Sequence, residues 1–284
     1  MKFVYQEFAR TPPLSDAVVV FWSFAPHPGE GQSGDLPVPL PFQVLPDGCA
    51  DLIVGLAPPA LSGAPREAVL RISGALSRSK IVEIAPRTHL WGMQLRPGWV
   101  ETVLGIPALA LPSRLEQVER HSPRLAELAR VLRATSLPDA VEAVFRDGIT
   151  CLIADASERG RSRGSAPTPH LREALRLLEA SGGRIRMNAL ARAVGLSERT
   201  LHRQLSGSLG MPPKSFARIL RFQDAVSRLR IGHQSEVRDL AGLARDSGYF
   251  DQAHMTHEFR TLTGLTPATL PLSPYPEQKS LASI

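Results

Sequence analysis

Residues 237–267, VRDLAGLARDSGYFDQAHMTHEFRTLTGLTP, decide how the C-terminal half of this chain is read. The stretch predicts a helix, a short turn containing Gly248, a second helix, and a stop at Gly264-Leu265-Thr266-Pro267. Leu240, Leu243 and Ala244 recur at helical spacing and give the first helix one apolar face. Asp251 stands where an N-cap belongs, and Met255, Phe259 and Leu262 form the inner face of the second helix. Two short helices joined by a tight turn have the shape of a helix-turn-helix.

The pattern occurs a second time, upstream. Leu190-Ala191-Arg192-Ala193-Val194-Gly195 matches Leu243-Ala244-Arg245-Asp246-Ser247-Gly248 at an offset of 53. Leu201, Leu205, Gly210 and Pro213 match Met255, Phe259, Gly264 and Pro267 at an offset of 54, so the second turn is one residue longer. Repetition at a fixed offset is stronger support than either copy alone.

This pair resembles the AraC/XylS family of bacterial transcription regulators, whose DNA-binding domain holds two helix-turn-helix units joined by a long helix. The first unit carries the resemblance in Leu190-Ala191, Gly195, Leu196-Ser197, Thr200-Leu201, Arg203 and Gly210 to Pro213. The second carries it in Leu240-Ala241, Gly248-Tyr249, Asp251-Gln252, His254-Met255, Phe259-Arg260 and Gly264 to Pro267. It implies a transcription regulator, activator or repressor, whose main partner is double-stranded DNA and whose second partner is RNA polymerase. It also implies control by a small-molecule effector and self-association as a homodimer, both at the N-terminal part.

Charge is distributed to match. Residues 1–160 hold 15 Lys/Arg and 17 Asp/Glu, whereas residues 161–284 hold 18 and 10. A basic excess confined to the half with the repeat is the footprint of a polyanionic partner. No apolar run approaches the ~18 residues of a membrane helix, and the first residues do not read as a signal peptide, so a cytoplasmic location without membrane contact is expected. Cys49 and Cys151 are far apart and predict buried, reduced thiols.

The expected fold class is α+β in two domains. Residues 1–157 form a small β-barrel or sandwich with trailing helices, 158–169 a linker, 170–272 the all-α double helix-turn-helix, and 273–284 a tail. Short candidate strands begin with Ala17-Val18-Val19-Val20-Phe21-Trp22, whose length leaves a helix open. Phe42 to Leu45 and Ala50 to Gly55 flank Pro46-Asp47-Gly48 and read as a hairpin. Leu70 to Ser73, Ile81 to Ile84 and Leu90 to Leu95 continue the series, with Pro/Gly-rich loops at 26–41 and 58–65. The period then turns helical: Leu125, Leu128, Ala129 and Leu132 share a face, as do Val141, Val144, Phe145, Ile149 and Leu152. These faces cover either their own barrel or a second copy of it. Leu45 to Leu52 (LPDGCADL), Gly92 and Arg96-Pro97-Gly98 resemble an uncharacterised domain found ahead of such DNA-binding domains, whose relatives are thought to be ligand-sensing, cupin-like barrels.

In the C-terminal half Asn188 and Ser197 are candidate helix caps, and Pro213 to Arg230 predicts the connecting helix. Its roughly 27 Å length spaces two reading helices about one DNA turn apart. On helix 197–206 the outward residues are Arg199, Thr200, His202, Arg203 and Gln204. The family pattern turns Arg199, His202 and Arg203 to base edges, where Arg suits guanine. The bland alternatives are a phosphate contact for Arg203 and a solvated charge for Arg199. On helix 251–262 Gln252, Ala253, Thr256 and His257 face outward: Gln suits adenine, and Ala or Thr suits a thymine methyl. Relatives often have Arg where His257 stands. Arg218, Arg221, Arg260 and the helix N-termini after Ser197 and Asp251 are expected at phosphates.

An enzyme is the rival class, since some cupin-like barrels bind iron. His27, His89 and His121 are the histidines of the first 160 residues and form no H-x-H pair. His254 and His257 lack further ligands at a suitable spacing, and two cysteines do not complete the four-cysteine zinc site of a DNA-repair fusion. No cofactor, metal or catalytic residue is therefore expected. Trp22, Trp91 and Trp99 line a pocket or pack in the core.

Overall fold

The change of period near residue 100 is where sheet gives way to helix in the computed structural model, which describes residues 3–8, 17–26, 39–58, 66–163, 167–231 and 239–271. Most of the loops expected at 26–41 and 58–65, His27 and the tail 273–284 lie outside those residues. The described residues divide into two compact units. One draws on 1–42, 49–74 and 81–167, the other on 43–48, 75–80 and 168–284.

The strands are β1 (Phe3–Phe8), β2 (Val18–Pro26), β3 (Leu40–Val44), β4 (Ala50–Leu56), β5 (Ala68–Ser73), β6 (Lys80–Ile84), β7 (His89–Leu95) and β8 (Glu116–Gln117). Six of them form a sheet in the order β1-β2-β7-β4-β5-β8, with every pair antiparallel. β3 and β6 form a separate two-stranded sheet. The β-branched run at 18–20 is thus strand, as its composition favours. Among the described residues the large sheet does not close into a barrel, and two sheets fit the sandwich form of the expectation.

Pro46-Asp47-Gly48 does not close a hairpin. β3 pairs with β6, while β4 pairs with β5 and β7. The turn is held elsewhere, because Gln223 donates from Nε2 to the Pro46 carbonyl at 2.6 Å. A local turn signal fixes a change of direction and leaves the choice of strand partner to distant contacts.

The sheet's apolar face is covered by α1 (Val100–Leu104), α2 (Pro123–Arg133) and α3 (Pro138–Arg163). Leu52, Val54, Ile72, Met93 and Leu95 share one core with Leu125, Leu132, Val141, Phe145 and Ile149. Phe21 meets Phe145 edge-on at 6.1 Å. The two helical faces of the sequence therefore cover their own sheet. Each such large side chain contributes about 1.5–3 kcal/mol when fully buried. Trp91 is in this core with its Nε1 donating to Glu142 at 3.2 Å, and Trp99 packs against it. Trp22 lies across from Gly92, where a Cβ would come within 2.1 Å of the indole. That position accepts only glycine while the ring stays in place. α3 continues to Arg163, so the first half of the segment expected to be linker is helical. Its Arg/Gly/Ser composition carries no apolar period to reveal this.

The second unit's helices are α4 (Pro169–Ala180), α5 (Met187–Ala193), α6 (Glu198–Leu209), α7 (Pro213–Ile231), α8 (Leu240–Asp246) and α9 (Gln252–Thr263). Phe216, Ile219, Leu220, Phe222, Ala225, Val226 and Leu229 of α7 are all buried, as their spacing predicts. α6 contributes Leu201 and Leu205 to the core, and α9 contributes Met255, Phe259 and Leu262. Phe222 and Phe259 meet edge to face at 4.8 Å. Segments 43–48 and 75–80 belong to this unit through hydrogen bonds. The Ser79 N–H donates to the Leu262 carbonyl at 2.7 Å, and Gln43 Nε2 donates to the Thr263 carbonyl at 2.9 Å.

Candidate DNA-binding surface

The repeat in the sequence is a repeat in space. α5, Gly195 and α6 correspond to α8, Gly248 and α9. Both second helices have 12 residues, and both end on glycine in the left-handed region, Gly210 at φ 70° and Gly264 at φ 78°. Both begin on a side-chain cap. Ser197 accepts from the Thr200 N–H at 3.2 Å, and Asp251 accepts from the His254 N–H at 2.7 Å. These bonds satisfy amides that a helix start leaves without partners. Asn188 is not a cap: it lies inside α5, which starts after Arg186 with no side-chain cap bond.

α6 buries Leu201, Leu205 and Leu209, and this turns Arg199, His202 and Arg203 outward, where all three are exposed. Gln204 differs from expectation. It is half-buried and its Oε1 is enclosed without a hydrogen-bond partner. On α9, Gln252, Ala253, His257 and Arg260 are exposed and Thr256 is half-buried. His254 is exposed, yet its ring is engaged. Nδ1 accepts from the Phe250 N–H at 3.3 Å, and the ring meets Tyr249 edge-on at 5.5 Å. Burial raises the Tyr249 hydroxyl pKa above its ordinary value.

The two arginines of α7 have internal partners. Arg218 Nε donates to Glu258 Oε2 at 2.6 Å, and Glu258 is 9% exposed. Arg221 donates from its NH1 group to the Gly183 carbonyl at 2.9 Å. The Arg218 charge is thereby offset inside the unit, whereas Arg199, Arg203 and Arg260 sit on the exposed side of their helices. Sequence separations of 40 and 38 residues hide both contacts from a local reading. The helix starts also differ: α6 is capped by a neutral serine and has Glu198 in its first turn, whereas α9 is capped by the Asp251 carboxylate and has no acidic residue in its first turn. An anion approaching the start of α9 meets the Asp251 side chain first.

Among the described residues no three His, Cys, Asp or Glu side chains gather as a metal group. His89 lies beside Trp91, ring to ring at 5.8 Å. Burial, followed by the nearby Arg66, lowers its pKa, partly opposed by Asp139. His121 is bonded to Glu116 at 2.9 Å. Cys49 is buried as expected, but Cys151 is exposed on α3. Among the described residues no helix is long and apolar enough to cross a membrane.

Residues 190–270, from within α5 to beyond α9, match the family described as a helix-turn-helix domain. They form a helix-turn-helix domain. The helix-turn-helix is a DNA-binding motif that places its second helix in the major groove. Residues 6–115 match a family described as a domain of unknown function, DUF6597. No curated protein matches the chain. Crystal structures of ToxT from Vibrio cholerae are similar to it. One has a TM-score of 0.40 at 12% identity, covering 81% of this chain and 92% of that one. Another has 0.40 at 10% identity, covering 94% and 96%.

Proposed function

We propose that the chain is a sequence-specific regulator that reads two adjacent major grooves, one with helix 197–206 and one with helix 251–262. The observation that carries this is the paired set of outward residues on two like-built, like-capped helices: Arg199, His202 and Arg203 on one, Gln252, Ala253, Thr256 and His257 on the other. Arg203 and Arg199 read guanine edges, Gln252 reads adenine, and Ala253 and Thr256 meet apolar base surface. Phosphate contact falls to Arg260 and the α6 N-terminus, with Arg218 and Arg221 in a lesser role because their guanidiniums already serve Glu258 and Gly183. α7, at roughly 28 Å, is the spacer. Residues 170–272 are the DNA-binding domain and 1–157 the sensing and self-association domain, under small-molecule control and without catalysis. The protein works in the cytoplasm with RNA polymerase.

Binding of the full chain to a duplex carrying its site, measured across a salt series, tests the docking surface. Affinity falls steeply with salt as contacted phosphates release counterions, and Arg260→Ala makes the slope shallower by about one. A slope insensitive to Arg260 removes that residue from the phosphate set.

A further inference from the structure

Phe250 is 89% exposed, more than any other exposed large hydrophobic residue among those described. Its place in the chain makes this unusual. With Asp251 as N-cap of α9, Phe250 holds the position whose apolar side chain commonly folds back on the residue four places into the helix. That residue is Met255, which is fully buried. Phe250 makes no such staple, because the preceding Tyr249 is buried in its stead at 5% exposure.

The backbone at this position is also tied down. The Phe250 N–H donates to His254 Nδ1, the His254 ring stands edge-on to Tyr249, and the Asp251 carboxylate takes the His254 N–H. The backbone on both sides of Phe250 is thereby tied to the first turn of α9. An exposed phenyl ring thus stands immediately before the cap of α9, at the end of the helix that reading helices direct toward base edges. The surface it suits in a major groove is the thymine C5-methyl group, the main apolar feature there.

We infer that Phe250 is a further specificity-determining residue, packing on a thymine methyl at the edge of the half-site read by α9. The inference rests on the DNA-reading role proposed above. It accounts for an apolar ring where a staple is absent and a helix start where the Asp251 carboxylate disfavours phosphate.

The test uses the full chain and its selected duplex, with each thymine replaced in turn by uracil, which lacks only the methyl. At one thymine of the α9 half-site the replacement weakens wild-type binding about fourfold, the worth of one buried methyl. Phe250→Ala shows the same loss on the unmodified duplex and no further loss with uracil. Its salt slope is unchanged, since no charge is removed. Its melting temperature is also unchanged, since so exposed a ring adds little to the core. A Phe250→Ala protein with wild-type affinity and the wild-type uracil profile overturns the inference. If Arg203→Ala still loses affinity on the same duplex, the DNA-reading role stands without Phe250. If Arg203→Ala and Gln252→Ala also bind unchanged, that role falls and the inference with it.

Discussion

The two helix-turn-helix units share a backbone plan and differ in chemistry. In the first, Leu190 and Ala191 bury α5 firmly, and α6 presents two arginines and a histidine. In the second, Ala244 is the fully buried residue of α8, with Leu240 and Leu243 half-buried, so the unit depends on Met255, Phe259 and Leu262 of α9. Its outward face is neutral or weakly basic until Arg260, and its cap is a carboxylate where the first unit caps with serine and carries Glu198 in the next position. Under the proposed reading, one scaffold carries a charged reader and a neutral one. The comparison predicts that the first unit supplies charge-assisted recognition and the second shape and methyl recognition.

The largest effect that tests this contrast is on stability. Leu205 and Phe259 occupy equivalent repeat positions and both are fully buried. Phe259→Ala costs about 3–5 kcal/mol and Leu205→Ala about 2–5 kcal/mol. Phe259 is expected to be the more costly because its larger, fully buried ring packs edge to face on Phe222. Urea unfolding followed on the C-terminal unit measures both, and a costlier Leu205→Ala contradicts the greater dependence of the second unit on its second helix.

Next comes base reading. Arg203→Ala loses about 1–3 kcal/mol of discrimination at one guanine, seen as a flattened position in the selected-site profile. Gln252→Ala flattens an adenine position by a comparable or smaller amount and leaves the salt slope unchanged. A slope altered as much by Gln252→Ala as by Arg203→Ala erases the distinction between charged and neutral readers.

Smaller again are the caps. Ser197→Ala and Asp251→Ala each cost about 1 kcal/mol of stability. Asp251→Asn keeps a cap while removing the charge, and it strengthens low-salt DNA binding by about 0.3–1 kcal/mol if the carboxylate holds phosphate off α9. Unchanged binding by Asp251→Asn removes that electrostatic difference between the helix starts.

The C-terminal unit is legible in sequence because its signals are local and periodic. The cap at Ser197, the cap at Asp251, the glycines after α6 and α9 and the apolar face of α7 all lie within a turn or two of what they determine. The less legible features depend on distant partners. Pro46-Asp47-Gly48 signals a turn, but Gln223 holds it and β6 takes the strand a hairpin would have paired with β4. Arg218 and Arg221 read as phosphate ligands in the sequence, and only the fold brings Glu258 and the Gly183 carbonyl beside them. Phe250 gives no signal of its own, because a phenylalanine beside a cap reads as a staple and only its exposure shows otherwise.

The most direct measurement is selection of bound fragments from fragmented genomic DNA, comparing the full-length chain with an Arg203→Ala/Gln252→Ala double variant. The account predicts one recurring bipartite motif for the native chain, its halves about one helical turn apart, and loss of that motif in the double variant. The same motif recovered by both proteins, or a motif confined to a single half-site, contradicts a two-groove reader built on α6 and α9.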